Sequence, residues 1–85
     1  MSARRLLVLS RPDCELCADL LQLLAPYAAA GDIELEVADL ADQPLPVRER
    51  QQWRIPVVLD GNTELMWGRI EADEIARALG PVPTR

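Results

Sequence analysis

Cys14 and Cys17 are the residues whose type and spacing can do chemistry, and the chain has no other cysteines. They stand three residues apart in Cys14-Glu15-Leu16-Cys17. If Cys14 lies in the first turn of a helix, Cys17 lies about one turn on and on nearly the same side. A disulfide needs Cα atoms roughly 4.4–6.8 Å apart, and one helical turn supplies that with little strain. The pair follows the apolar run Leu6-Leu7-Val8-Leu9 and opens a helix-like run from Leu16 to Ala30. The sequence thus places a redox-capable pair at a strand-to-helix corner. The chemistry open to it is thiol–disulfide exchange, in which a thiolate attacks a disulfide sulfur and a second thiol resolves the mixed disulfide. Cys14, at the exposed end, suits the attacker. Cys17, on the apolar side of the helix, suits the resolver.

Composition narrows the setting for that chemistry. Eighty-five residues make one domain, 1–85, large enough for a core without staples. Hydrophobic residues are 49% of the chain, yet Phe is absent and only Tyr27, Trp53 and Trp67 are aromatic, so the core must be aliphatic. The two tryptophans are expected to pack into the core or a groove rather than to form a binding platform. The net charge is −5, which argues against a nucleic-acid partner, because such binding needs a basic face. Arg4-Arg5 is followed by only a short apolar run, which does not make a signal-peptide core. No stretch approaches the roughly 18 apolar residues of a membrane span. The expectation is a cytoplasmic monomer with no membrane partner. Stable structural disulfides are rare in that compartment, which favours a catalytic or sensing pair over a staple. A structural zinc site usually takes four ligands, and two Cys with no His do not supply them, so no metal is expected.

The elements that must position the pair can be read in order. Arg4 to Ser10 is a strand, and its continuous apolar stretch suits a central position covered on both faces. Asp13 is placed to cap the following helix, with Cys14 to Leu16 as its first turn. Cys17, Leu20, Leu21, Leu24 and Ala28 recur at helical spacing. Pro26 predicts a kink or an early end, and Gly31 a C-terminal cap. Ile33 to Ala38 alternates apolar and acidic residues, the pattern of a half-exposed edge strand. A short helix is expected over Val47 to Trp53. Pro56 to Leu59 and Glu64 to Trp67 read as a hairpin with a longer loop around Asp60-Gly61-Asn62. Glu71 to Leu79 is the last helix, ended by Gly80-Pro81. The tail from Val82 to Arg85 is expected to be loose. The order β-α-β-α-β-β-α implies an α/β fold with a mixed four-stranded sheet and helices on both faces.

A cysteine pair one helical turn apart, after the first strand of this element order, resembles glutaredoxin and the wider thioredoxin superfamily. Arg54-Ile55-Pro56 is the second landmark. In that superfamily a cis proline opens the third strand and faces the active cysteines, and Pro56 stands just before Val57-Val58-Leu59. The likeness runs from Leu6 to Leu79 and is strongest to the small bacterial glutaredoxin-like proteins. It implies a thioredoxin/glutaredoxin-like fold and a glutaredoxin-like thiol–disulfide oxidoreductase. Cys14 would be the nucleophile and Cys17 the resolving thiol. Arg11 matches a basic position that contacts glutathione in relatives, and Ile55 with Pro56 would shape the substrate groove. The implied partner is a disulfide-containing protein or a low-molecular-weight disulfide. No cofactor is expected to be bound, and glutathione is the candidate co-substrate.

The chain also departs from the family pattern. Glu15-Leu16 fills the space of the usual Pro-Tyr between the cysteines. Arg54 replaces the Thr that commonly precedes the apolar residue and proline. Trp67-Gly68-Arg69-Ile70-Glu71 keeps one glycine of the pair that holds the γ-glutamyl end of glutathione. Arg11, Arg54 and Arg69 remain as cations for a ligand carboxylate in a different arrangement. A helix N-terminus and Arg11 favour the Cys14 thiolate, while Asp13 and Glu15 oppose it. The expectation is a Cys14 less acidic than that of an efficient glutaredoxin, and a reducing pair. Two other readings stay open: a redox-sensing or non-enzymatic thioredoxin-fold module, and a glutathione-assisted [2Fe–2S] carrier using Cys14 from two chains.

Overall fold

The computed structural model describes residues 3–83. The expectation for the last two residues of the tail, Thr84 and Arg85, lies outside them. Strand β1 (Arg4–Ser10) leads to helix α1 (Glu15–Ala29), then strand β2 (Ile33–Asp39), a 3-10 turn (Leu40–Asp42), helix α2 (Leu45–Gln51), the strands β3 (Val57–Asp60) and β4 (Thr63–Trp67), and helix α3 (Ala72–Leu79). The sheet order is β2-β1-β3-β4. β1 runs parallel to β2, because α1 carries the chain back across the sheet, and antiparallel to β3. The result is the mixed four-stranded α/β sheet expected from the element order, with the cysteine pair following β1.

Side chains alternate across β1. Leu6 and Val8 point to one face and Leu9 to the other, and all three are buried. The first face packs with Leu20, Leu24 and Tyr27 of α1, Val58, Met66 and Ile75 of α3. The buried Tyr27 hydroxyl donates to the carbonyl of Gly80 at 2.8 Å, tying α1 to the end of α3. The second face packs Leu9 and Val57 with Leu40, Val47 of α2, Ile55 and the two cysteines. β2 is an edge strand, as its alternation implies, although Val37 ends half-exposed.

Several local expectations are corrected. Pro26 does not end α1, which runs on to Ala29. The carbonyl that loses its partner belongs to Gln22, an exposed residue, where water can replace the missing N–H. The helix then closes with a Schellman motif. The Gly31 N–H donates to Ala28 and the Asp32 N–H to Tyr27, and Gly31 takes the positive φ of 84° that this closure requires. α2 begins at Leu45 rather than Val47, because Pro46 falls in its first turn, where no N–H is needed. The β3–β4 hairpin is tighter than expected. Asp60 pairs with Thr63, leaving only Gly61 and Asn62 in the loop, and a register irregularity at Val58/Leu59 takes up the offset.

Candidate active site

Asp13 does not cap α1. It adopts a left-handed φ of 58°, and Cys14 itself is the N-cap, in extended backbone. Cys14 Sγ accepts the Cys17 N–H at 3.2 Å. The turn at Asp13 thus brings a sulfur, rather than a carboxylate, over the open N–H groups of the helix. Those groups favour negative charge on it once the pair is reduced. In the structure Cys14 and Cys17 form a disulfide, with Cα atoms 5.2 Å apart. The two sulfur residues differ in access. Cys17 is 3% exposed, whereas Cys14 is only partly buried. An open cleft over the pair is lined by Ser10, Arg11, Asp13, Glu15, Ala18 and Leu21. Arg11 is exposed, makes no ion pair among the described residues, and also lines the adjoining cleft beside Leu40, Leu45 and Arg48.

The loop from Gln52 to Pro56 meets the pair through Ile55, and none of its residues lines the cleft over the pair. The Ile55–Pro56 peptide bond is cis. Ile55 is 7% exposed and packs in one apolar cluster with Cys17, Leu9, Leu40 and Val57. Pro56 is fully buried. The loop is held from the end of the hairpin, because the Gly68 N–H donates both to the Arg54 carbonyl at 2.9 Å and to the Pro56 carbonyl at 2.8 Å. Gly68 does this at a φ of 78°, which a side chain would oppose.

Arg54 is not a spare cation for a ligand. Its guanidinium pairs with Glu64 of β4 and lies 4.2 Å from the centroid of the Trp67 ring. Gln51, the buried polar residue at the end of α2, donates to the other oxygen of Glu64 at 2.7 Å. The carboxyl of Glu64 is held below its ordinary value, chiefly by the hydrogen bond from Gln51. Partial desolvation opposes that shift, and the charges of Arg54 and Arg50 add to it. The replacement of Thr by Arg before Ile55-Pro56 therefore builds an internal clamp between α2, the proline loop and β4. Arg69 is exposed and lines a separate cleft with Asp19 and Glu71.

Of the residues singled out from sequence, Cys14, Cys17 and Arg11 share one cleft, and Ile55 packs in the apolar cluster that contains the pair. Arg54 and Arg69 do not line that cleft. Sequence reasoning missed Gln51 and Glu64, since nothing in a polar helix end or an alternating strand marks two residues as partners across a loop. It also misplaced the tryptophans. Trp53 is 85% exposed and Trp67 is 50% exposed. No group of three or more His, Cys, Asp or Glu side chains among the described residues is placed to hold a metal ion. No helix among those residues is long and apolar enough to cross a membrane.

Comparison with known proteins agrees with this geometry. The family model described as a glutaredoxin-like domain (DUF836) matches residues 5–80, and the chain belongs to that family. No curated protein matches it.

Proposed function

We propose that this glutaredoxin-like chain is a thiol–disulfide oxidoreductase working through the Cys14–Cys17 dithiol. The observation that supports it best is the unequal placement of the pair. Cys14 is reachable from the cleft and has its sulfur on a helix N–H, while Cys17 is shielded directly behind it. In the reduced form the Cys14 thiolate attacks one sulfur of a partner disulfide. The Cys14–S bond forms, the partner S–S bond breaks, and the departing thiolate takes a proton from solvent. Cys17 then loses its proton and attacks Cys14, closing the Cys14–Cys17 disulfide and releasing the second partner thiol. A thiol reductant, glutathione or a dithiol, supplies the two electrons and two protons that restore the pair.

In this reading Ile55 and Pro56 shape the groove from beneath, and Arg11 is the cation that lines the cleft over the pair. The chain acts as a monomer in the cytoplasm and needs no bound cofactor. The test is reduction of hydroxyethyl disulfide by the reduced chain. Cys14→Ser is expected to abolish turnover. Cys17→Ser is expected to accumulate a mixed disulfide on Cys14, visible by intact-mass measurement. Turnover by Cys14→Ser at the native rate would refute the assignment.

A further inference from the structure

Among the described residues Trp53 is the most exposed large apolar side chain. It stands two residues before Ile55, so at most about 7 Å of chain separates it from the residue packed with Cys17. The half-exposed Trp67 belongs to the same region. The Gly68 N–H, one residue beyond it, binds the carbonyl of Arg54, one residue beyond Trp53. The two tryptophans thus stand on either side of the Arg54 and Gly68 contact, on a loop whose Ile55 packs with Cys17 and whose Arg54 pairs with the Gln51-bound Glu64. An aromatic side chain has few rotatable bonds and loses little conformational freedom when a partner covers it, and tryptophan is enriched among the anchors of protein interfaces.

The charge around the pair shows which partner fits. Asp13 and Glu15 line the cleft against a single cation, Arg11. The neighbouring cleft on α1 sets Asp19 and Glu71 against Arg69, while the adjoining cleft on α2 balances Arg11 and Arg48 against Asp39 and Glu49. Arg54, the other cation of the loop, is already paired with Glu64. The whole chain carries −5. An anionic disulfide such as oxidised glutathione approaches against this field, and a cationic one approaches with it.

We propose that the disulfide reduced by Cys14 lies in a polypeptide, flanked by basic residues, that docks on Trp53. This deepens the oxidoreductase reading and rests on it. Bonds and electrons are those of the exchange already written: the polypeptide disulfide gains two electrons and two protons, and Cys14 and Cys17 lose them.

The test is a single-turnover comparison. The reduced full chain is mixed with an arginine-flanked disulfide peptide, its glutamate-flanked counterpart, oxidised glutathione and neutral hydroxyethyl disulfide. The arginine peptide is expected to react about tenfold faster than the glutamate peptide at about 20 mM salt, and the ratio to fall to about twofold at about 0.5 M salt. D13N/E15Q should cut the low-salt ratio to about threefold. Both peptides meet the same Cys14, so any change in its acidity cancels. Trp53→Ala should lower the rate for the arginine peptide about fivefold relative to hydroxyethyl disulfide, and Trp53→Phe should recover most of that loss. Three results each overturn the proposal: equal rates for the two peptides, oxidised glutathione as the fastest probe, or a Trp53→Ala loss shared equally by all probes. Any of them, with hydroxyethyl disulfide still reduced, leaves the oxidoreductase reading standing. Failure to reduce any probe overturns both.

Discussion

The cysteine turn and the proline loop meet in one apolar cluster but are built by opposite means. The cysteine turn is local. Its cap bond and its disulfide both join Cys14 to Cys17, within one turn of α1. The proline loop is held from far along the chain. Glu64 grips Arg54, Gln51 grips Glu64, and Gly68 closes on the carbonyls of Arg54 and Pro56. The cysteine pair is closed by contacts within itself, apart from those that hold the sheet. The loop that carries Ile55 and Pro56 rests on contacts that involve neither cysteine sulfur. The difference shows how the fold separates the part that changes state from the part that sets geometry.

Reducing the disulfide probes this division most strongly. The closed loop spans four residues, so chain entropy predicts a loss of only about 2 kcal/mol. Denaturant unfolding of the oxidised and reduced chain measures it. A loss of twice that size would mean that the pair is a staple for the whole domain. Next comes Glu64→Gln, which weakens the charge-assisted bonds of the clamp and is expected to cost about 1–2 kcal/mol. Its pH dependence has a definite sign. The folded carboxyl lies below its ordinary value of 4.5, so its contribution is complete above that value. It is lost as the pH falls through the lowered folded value. Acid unfolding of Glu64→Gln should therefore show a weaker pH dependence below 4.5 than that of the native chain.

Gly68→Ala should cost about 1 kcal/mol from the left-handed backbone alone, since open space surrounds a Cβ there. If the loop sets the groove, the variant also raises KM for a disulfide substrate more than it lowers kcat. The smallest effect belongs to the cysteine turn. D13N/E15Q should make the thiol of reduced Cys14 only slightly more acidic, because both acids lie in solvent and are screened. Thiolate absorbance against pH reads it directly, and a native Cys14 pKa below about 5 would contradict the expectation that these acids hold it up.

How far the sequence reached follows the same division. The central strand, the helix after it, the acidic edge strand and the β-β-α ending all rest on periodicity within a few residues, and each is where the pattern places it. The errors fall where a local signal met a competing local one. Asp13 looked like the cap, but a left-handed turn at that residue gave the position to Cys14. Pro26 looked like a terminus, but the residue whose carbonyl it orphans faces solvent. In the candidate site, Cys14 and Cys17 were legible because a disulfide across one helical turn depends on spacing alone. Pro56 was legible through resemblance.

The fate of Arg54 and Trp53 was not legible. Arg54 read as a cation waiting for a carboxylate, and the carboxylate proved to be Glu64, brought opposite it by the hairpin. Trp53 read as packing, and it stands in solvent. The sequence by itself determined that two thiols lie three residues apart at the mouth of a helix, close enough for a disulfide. Only the tertiary structure decided which charges around them are already spent and which aromatic is left uncovered. Those properties belong to pairs of residues that meet through the fold, and no local pattern records them.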